Sequence, residues 1–319
     1  MGSKTALSSE IVNAFRCPIC REKLTQSDGC YECLADSCGM KYPVVDGIPV
    51  LINESNSLFD ISDFTEKRYT FALESRRPKI IVKLLRLLPN ISINIKGRKN
   101  YRLLTQKLLE KSDHPKVLVL GGGIIGQGME ELAENPRIEL VETDVTIAER
   151  TQIIVDAHDI PFADETFDCV IAQAVLEHVI NPQRCVSEFH RVLKQNGYIY
   201  VETPFMQQVH GRPYDFTRFT EMGHRSLLRD FEEVSSGAVT GPGMALAWSI
   251  RHFLLSFGFK GASRALVDLF VRLTAWHWKY FDYLIIGTDN ARDAASGYYF
   301  LGQKTGKSLT DRDIIRRYS

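Results

Sequence analysis

The sequence lacks several features that would assign it to a simple class. Its 319 residues contain 39 Lys and Arg and 39 Asp and Glu, so there is no net charge at pH 7. Such a balance argues against a general polyanion binder. No apolar run reaches the roughly eighteen uncharged residues that a membrane-spanning helix needs, so we expect no such helix. Internal repeats and low-complexity tracts are also absent.

Residues 116–204 alternate short apolar segments with glycine-bearing or acidic ends. We predict strands at 117–120, 138–141, 153–155, 167–172 and 197–201, separated by helical segments. Such alternation predicts right-handed crossovers and a parallel sheet, with ligands at the carboxyl ends of the strands. Gly121, Gly122 and Gly123 follow the first strand, where a backbone without Cβ atoms can approach a ligand closely. We expect the next helix to begin near Gly126.

The glycines do not form a phosphate loop, because no Gly-Lys-Ser or Gly-Lys-Thr follows them. Asp144, about twenty positions further on, is placed to accept hydrogen bonds from ribose hydroxyls. These features suit NAD and S-adenosylmethionine equally well.

Four further motifs follow in order and distinguish the two cofactors. They are Asp156-Ala-His-Asp-Ile-Pro-Phe, Glu165-Thr-Phe-Asp-Cys-Val-Ile, Val175-Leu-Glu-His-Val and Arg191-Val-Leu-Lys-Gln-Asn-Gly. The series resembles the class I S-adenosylmethionine-dependent methyltransferases, specifically the small-molecule branch called methyltransferase type 11, over roughly residues 114–235. The resemblance implies an α/β fold with a Rossmann-like seven-stranded sheet. It implies these cofactor-binding residues: Gly121, Gly122, Gly123, Asp144, Asp156, Ala157 and Gln173.

Within this resemblance, the glycines would lie beside the methionine moiety and Asp144 would bind the ribose. Asp156 and the backbone of Ala157 would contact the adenine edge. Two features depart from the family pattern: Val119 stands where an acidic residue is usual, and the glycine loop at 121–128 is longer. A methyltransferase fold that binds no cofactor is the alternative.

The cysteines are concentrated near the start of the chain, with five of the seven between Cys17 and Cys38. No signal peptide is evident, so we expect a cytoplasmic protein in which clustered cysteines bind metal. Cys17 and Cys20 have the spacing of a zinc knuckle. Spacing alone leaves the second pair open, because Cys30 and Cys33 or Cys33 and Cys38 could complete it.

The run Cys38-Gly-Met-Lys-Tyr-Pro-Val-Val-Asp-Gly-Ile-Pro-Val-Leu resembles the end of a small zinc-ribbon domain. Members of that family activate tRNA and protein methyltransferases or are fused to bacterial methyltransferases. The resemblance implies that Cys17, Cys20, Cys33 and Cys38 bind the metal and leaves Cys30 spare. Four thiolates leave no open position for water, so this zinc would be structural. Cys169 and Cys185 are predicted to be buried and inert.

The predicted domains are a zinc ribbon at 1–58, a basic helical linker or cap at 59–113, and the methyltransferase domain at 114–319. Between Arg76 and Lys116, twelve Lys or Arg stand against two acids. Helices at 79–88 and 101–111 are predicted to pack their leucines on the sheet domain. Contact of their basic faces with anionic lipid or RNA phosphates is the alternative.

A helical insertion is predicted at about 241–292, with apolar helices at 244–257 and 265–286. It separates a sixth strand at 231–234 from a closing antiparallel strand at 296–304. In the resembling family, an insertion here roofs the substrate pocket. We expect a hydrophobic roof, with an interfacial patch for a lipid-linked substrate as the alternative.

The methyl acceptor should lie over the carboxyl ends of the fourth and fifth strands. The candidates at these ends are Gln173, Glu177, His178, Thr203, Phe205, Gln207, Gln208 and His210. His210 is the predicted catalytic base, since a neutral imidazole can take a hydroxyl proton near pH 7. The alternative is that His210 only hydrogen-bonds loop backbone, and His178 is predicted to be structural.

Residues 210–220 resemble a run in bacterial methyltransferases encoded with glycan and nucleotide-sugar pathways. This favours a sugar hydroxyl as the acceptor. The predicted substrate-binding residues are Gln173, Tyr214, Asp215 and Arg218.

Three functions remain open from the sequence. The favoured one is O-methylation of a sugar or lipid-linked glycan, with contact to a membrane surface as an option. An RNA base methyltransferase could use the ribbon and basic helices to hold RNA, but aromatic residues are sparse among those basic residues. A non-catalytic scaffold could use its ribbon to bind a protein partner.

Overall fold

The computed structural model describes residues 7–68 and 88–317, in which eleven strands form one sheet. Elements are numbered in chain order over these residues. The strands are β1 Leu24–Ser27, β2 Cys30–Cys33, β3 Lys41–Val45, β4 Ile48–Leu51, β5 Lys116–Leu120, β6 Glu139–Asp144, β7 Ile153–Val155, β8 Phe167–Gln173, β9 Leu193–Pro204, β10 Glu232–Thr240 and β11 Gly297–Gln303. Their order across the sheet is β1-β2-β3-β4-β7-β6-β5-β8-β9-β11-β10.

The helices of the described residues lie between these strands and at both ends of the chain. They are α1 Ser9–Asn13, α2 Ile61–Thr65, α3 Gly97–Leu109, α4 Glu130–Ala133, α5 Pro182–Val192, α6 Glu221–Leu227, α7 Pro242–Leu255, α8 Gly261–Thr274, α9 Trp278–Ile285, α10 Asp289–Asp293 and α11 Asp311–Arg316. Within the described ranges, no helix combines the length and the apolar character needed to cross a membrane.

The centre of the sheet is parallel, from β4 through β7, β6, β5 and β8 to β9, and β11 pairs antiparallel with β9 and β10. Strands buried on both faces become continuous apolar runs, as in Val117–Leu120, whose four residues are all buried. The five predicted parallel strands are present. The carboxyl ends of β5 to β9 therefore meet along one edge.

The sheet has eleven strands rather than the predicted seven, because the amino-terminal strands continue it beyond β7. Val50 pairs with Ile154 and Leu51 with Val155 in parallel register. The two parts also share one hydrophobic core, in which the Phe15 ring lies 5.4 Å from that of Phe162. The boundary predicted after residue 58 therefore does not separate two sheets.

Two helix predictions differ from the structure. The helix expected near Gly126 begins only at Glu130 and is four residues long. The apolar stretch predicted as one helix at 265–286 forms α8 and α9, because the chain turns after Thr274. This turn brings the buried Asp282 carboxylate to the amino terminus of α7, where it accepts hydrogen bonds from the Gly243 and Met244 amides.

The two predicted basic helices have different outcomes. The helix predicted at 101–111 lies largely within α3, Gly97–Leu109. The helix predicted at 79–88 falls almost entirely outside the described residues. Beyond β10, the closing strand β11 lies where the sequence predicted it.

Candidate functional site

The glycine loop lies at the carboxyl end of β5 and is held against β6. Gly121 has a φ of +68°, and a Cβ there would lie 2.8 Å from the Val175 side chain. The Gly123 amide donates to Asp144 Oδ2 at 3.0 Å. A Cβ on Gly123 would come within 2.8 Å of the same oxygen. Both positions therefore require glycine, and the loop is fixed next to a carboxylate.

Asp144 is half-buried at the end of β6. Its Oδ1 accepts from the amide of Thr146 at 3.0 Å and from the Thr146 hydroxyl at 2.9 Å. Burial raises the pKa of Asp144, against the hydrogen bonds from Gly123 and Thr146. The other acid of this strand end, Glu142, is buried and accepts from Arg150 Nε at 2.6 Å. Asp144 is thus the acid that adjoins the glycine loop.

Asp156, at the end of β7, is bonded to the amino-terminal segment. Its Oδ2 accepts from the Ser57 hydroxyl at 2.6 Å, and its Oδ1 contacts the amide and ring of His158. Burial opposes ionisation, but the bonds from His158 and Ser57 hold the pKa of Asp156 below its usual value. Ala157 follows directly and is buried. The predicted adenine side of the site is therefore built partly by residues preceding the methyltransferase motifs.

Gln173, at the end of β8, takes part in a buried polar network. Its Nε2 donates to Glu202 Oε2 at 2.8 Å, and its Oε1 accepts from the Tyr101 hydroxyl at 3.2 Å. Glu202 also accepts from Asn94 and Tyr200, and burial raises its pKa. Glu202 was absent from the sequence predictions, because a buried network of this kind has no local sequence pattern.

Glu177, His178 and His210 converge at the acceptor side of the sheet. Glu177 is 1% exposed. Its Oε1 lies 3.7 Å from His178 Nε2 and 3.8 Å from His210 Nε2. Among the residues that the structure describes, neither Glu177 carboxylate oxygen has a hydrogen-bond partner. A buried carboxylate thus faces two imidazole nitrogens.

His210 is held by the loop that follows β9. Its Nδ1 lies 3.1 Å from the Gln208 carbonyl oxygen, and its amide donates to Asp215 Oδ2 at 2.6 Å. Arg218 binds the Asp215 carboxylate through both terminal nitrogens. The nearby Glu177 carboxylate raises the pKa of His210, against burial. The loop thus brings together the predicted residues His210, Asp215 and Arg218.

Tyr214 contacts the site through its main-chain carbonyl group. Its carbonyl oxygen lies 2.5 Å from His178 Nδ1, and its ring lies 5.3 Å from that of Phe59. The substrate-binding role predicted for the Tyr214 side chain stays a prediction. His178, predicted to be structural, is part of the cluster with Glu177.

A cavity of about 1010 Å³ opens beside His210, between its loop and helices α7 and α8. Its basic lining side chains are His210, Arg212, Arg218, Arg251, His252 and Arg264, and Asp215 is the one acid among the described lining residues. Burial lowers the pKa of His252, and the neighbouring arginines add to this effect. The cavity therefore has a positive wall. The sequence did not identify the α7 and α8 residues, because it does not say where an insertion folds back.

The four predicted metal-binding cysteines lie together in the amino-terminal segment. The Sγ atoms of Cys17, Cys20, Cys33 and Cys38 all lie within 4.8 Å of one another. Thiolates about 2.3 Å from a tetrahedral zinc are spaced about 3.8 Å apart, which this cluster fits. Cys30 instead donates its thiol to the Ser27 carbonyl oxygen at 3.1 Å. The residues present could hold a four-thiolate metal ion.

Polar side chains bind this segment to the sheet domain. Arg21 reaches Glu188 at 2.9 Å and Asp159 at 3.3 Å. Asn53 donates to the other oxygen of Asp159 at 3.0 Å. Cys169 and Cys185, predicted to be buried, are fully so.

Residues 120–201 match the sequence model of a methyltransferase domain. The demethylmenaquinone methyltransferase of Clavibacter sepedonicus is 33% identical over 79 residues, which cover 25% of this chain and 27% of that protein. The phosphatidylethanolamine N-methyltransferase of Cereibacter sphaeroides is 39% identical over 51 residues, or 16% of this chain and 25% of that protein. The matched stretches span about a quarter of these relatives.

Two solved structures align with this chain at lower identity. Phosphoethanolamine N-methyltransferase 2 of Haemonchus contortus, in complex with S-adenosyl-L-methionine, aligns with a TM-score of 0.42 and 15% identity, covering 67% of this chain and 54% of that one. The [4+2]-cyclase SpnF aligns with a TM-score of 0.38 and 17% identity, covering 65% and 80%. The domain match includes the glycine loop and the ends of β6 to β8.

Proposed function

We propose that this chain is an S-adenosylmethionine-dependent methyltransferase that modifies a hydroxyl of a small polar acceptor. A sugar or glycan, free or lipid-linked, is the favoured acceptor class. The observation that carries the proposal is the glycine loop, which is bonded to Asp144 inside the stretch that matches a methyltransferase domain.

The cofactor would lie across the carboxyl ends of β5, β6 and β7. Gly121, Gly122 and Gly123 would contact its methionine part, and Asp144 would accept from the ribose hydroxyls. Hydrogen bonds from the Gly123 and Thr146 amides already fix the orientation of the Asp144 carboxylate. Cofactor binding would therefore cost little additional conformational entropy of this side chain. Asp156 and the backbone of Ala157 would contact the adenine, and Gln173 would border the methyl group.

The acceptor would occupy the cavity beside His210, over the ends of β8 and β9. A volume of about 1010 Å³ suits a saccharide, and its lining mixes amides and arginines with Trp248 and Phe216. Methyl transfer is an in-line displacement, in which the protein chiefly aligns donor and acceptor. The strand end after β8 reads Gln173-Ala174-Val175 and lacks the Asn-Pro-Pro-Tyr typical of enzymes that methylate bases or amides. A nucleic acid is therefore the less favoured acceptor.

Cys17, Cys20, Cys33 and Cys38 would hold one structural zinc ion. The spacing of their Sγ atoms supports this, together with the hydroxyl of Tyr42, which lies 3.2 Å from Cys17 Sγ. The likeness of this segment to methyltransferase activators, its partner protein and a cytoplasmic or membrane-surface location stay predictions.

Calorimetric titration with S-adenosylmethionine and S-adenosylhomocysteine tests the cofactor assignment. We expect micromolar binding that Asp144→Ala weakens by at least about tenfold, or about 1.4 kcal/mol. Asp113→Ala is the matched control, because Asp113 is an exposed acid that pairs only with Arg137 among the described residues. Equal binding by both variants, or no binding by a folded chain, would overturn the proposal.

Transfer of a radiolabelled methyl group then distinguishes the acceptor classes. Labelled product with saccharides or lipid-linked saccharides supports the favoured class. Labelled RNA, with RNA binding that weakens steeply as the salt concentration is raised, would instead identify RNA as the acceptor.

A further inference from the structure

We propose that Glu177, His178 and His210 bind a divalent metal ion beside the acceptor cavity. The site is argued from its own geometry. Only its link to the methyl acceptor rests on the proposed function.

Three ligand atoms of suitable kinds converge at this point. One carboxylate oxygen and two imidazole nitrogens lie within 4.8 Å of one another, and Glu177 Oε1 is 3.7 Å and 3.8 Å from the two Nε2 atoms. Ligands bound at about 2.1 Å lie about 3.4 Å apart at the tetrahedral angle and farther apart at wider angles. The observed spacing therefore leaves room for one ion between them.

In both histidines Nδ1 contacts a carbonyl oxygen, and Nε2 is the ring nitrogen nearer to the Glu177 carboxylate. His178 Nδ1 lies 2.5 Å from the Tyr214 carbonyl oxygen, and only a protonated nitrogen can donate to a carbonyl. His210 Nδ1 stands in the same relation to the Gln208 carbonyl oxygen, at 3.1 Å. In neutral rings, each Nε2 then carries its lone pair toward Glu177. Metal-binding histidines are commonly fixed in this way, through the other ring nitrogen.

The buried charge of Glu177 also favours a bound cation. Glu177 is 1% exposed, and within the described chain its two oxygens accept no hydrogen bond. An unpaired buried carboxylate costs several kcal/mol, and two lone pairs facing it add nothing favourable. Arg218, whose Nη2 lies 3.3 Å from His210 Nδ1, is engaged by Asp215 through both carboxylate oxygens. A divalent cation at the convergence point would balance the buried charge.

One competing arrangement uses the same atoms. Arg218 Nη2 lies 3.3 Å from His210 Nδ1, and if it donates there, His210 Nε2 would carry a proton toward Glu177. Their separation of 3.8 Å is beyond hydrogen-bond range, so this pair would interact through charge alone. This protonated His210–Glu177 pair is one outcome of the test.

Three protein ligands leave further coordination positions open toward the cavity that His210 lines. An acceptor hydroxyl bound there would lose its proton more readily. The oxygen would form its bond to the methyl carbon as the carbon–sulfur bond breaks. A neutral thioether and one released proton would remain, and His210 would not need to act as the base.

The test uses the full chain with its cysteine cluster loaded with one equivalent of zinc. Cobalt(II) is then added, and its binding is followed by calorimetry and by near-ultraviolet and visible absorption, because thiolate ligation gives strong near-ultraviolet charge-transfer bands that imidazole and carboxylate ligands lack. We expect one further equivalent of cobalt without thiolate bands. Glu177→Gln and His210→Gln should each weaken it by at least about 100-fold, or about 2.7 kcal/mol.

Glu165→Gln, which changes an exposed acid, is the matched control and should bind cobalt normally. Absence of a second equivalent in a folded chain would overturn the proposal, as would binding unaffected by both ligand variants. If no second equivalent of cobalt binds, proton NMR of the His210 ring distinguishes the alternative. A ring N–H signal that disappears in Glu177→Gln would assign the cluster as a His210–Glu177 ion pair. Titration with S-adenosylmethionine is measured separately, so a failed metal site and a failed methyltransferase assignment give different results.

Discussion

The amino-terminal segment and the helical insertion are both additions to the central sheet domain, but they are attached to it in different ways. The amino-terminal segment joins through main-chain pairing of β4 with β7, through the aromatic contact of Phe15 with Phe162, and through Arg21. The insertion, α7 to α9, makes side-chain bonds to segments outside the strands, such as that from Trp248 Nε1 to Ser92 Oγ, at 3.0 Å, and that from Gln208 Nε2 to Ser249 Oγ, at 3.1 Å. The first addition shares the core of the sheet domain, whereas the second has a small core of its own.

Surface exposure follows the same division. Leu284 is 80% exposed, Phe257 67% and Leu266 65%, and all three lie in or next to the insertion helices. The amino-terminal segment therefore belongs to the folding unit of the sheet domain, while the insertion leaves large apolar side chains in solvent.

The largest expected difference in stability is between two variants that each truncate one phenylalanine, Phe15 in the amino-terminal segment and Phe257 in the insertion. Phe15 is fully buried, so Phe15→Ala should lower the free energy of unfolding by about 3–5 kcal/mol. Phe257→Ala should change it by no more than about 0.5 kcal/mol, because its ring is largely in solvent. Urea unfolding of both variants measures the difference. Equal losses would contradict the division between the two additions.

Arginine variants give a smaller effect of the same kind. Arg21→Met removes a cation from Asp159 and Glu188, but Arg21 is one-third exposed, and Arg184 and Arg191 still contact these acids. We expect a loss of about 2 kcal/mol, below that of a fully buried pair. Arg251→Met, which breaks the Arg251–Asp268 pair inside the insertion, should cost about 1 kcal/mol, because Asp268 is more exposed than Asp159 or Glu188 and retains more contact with water. Equilibrium unfolding compares them, and a larger cost for Arg251→Met would reverse the comparison.

The last effect depends on pH and concerns His224, which is buried in the sheet domain near Phe300 of β11. Burial lowers the pKa of His224 from 6.5 to about 3. Below pH 6.5 the unfolded chain therefore binds a proton that the folded chain does not, and the stability contributed by neutral His224 falls with pH until about pH 3. Over the first pH unit this loss is about 1 kcal/mol.

His224→Phe should remove this part of the pH dependence, because the ring packs near Phe219 and Phe300. Unfolding at pH 7.0 and at lower pH, with the exposed His114→Gln as a control, measures it. An unchanged slope in His224→Phe would show that other groups cause the loss.

The parts predicted from sequence are those encoded locally. The apolar runs before Gly121 and Asp156 predicted strands, and the cysteine spacings with the run after Cys38 predicted the gathered thiols. The pairing of β4 with β7 joins residues about a hundred positions apart, and no local pattern specifies it.

The acceptor side shows the same limit. Glu177 and His178 belong to a recognisable motif, whereas His210 reaches them through a loop 32 positions further on. Candidate residues could therefore be named, but their convergence on one point could not be predicted. The break after Thr274 was missed because no glycine or proline marks it; it is required by the contact of Asp282 with α7.

The pairing of β4 with β7 also has a consequence for how the chain tolerates metal depletion. Without the amino-terminal strands, β7 would be an edge strand with unpaired amides and carbonyls, and such edges recruit strands from other molecules. If the cysteine cluster holds zinc as proposed, loss of the ion would loosen this cover. Zinc starvation would then appear as self-association of the whole protein, together with weaker cofactor binding, because Ser57 of the amino-terminal segment bonds Asp156 at the proposed adenine side.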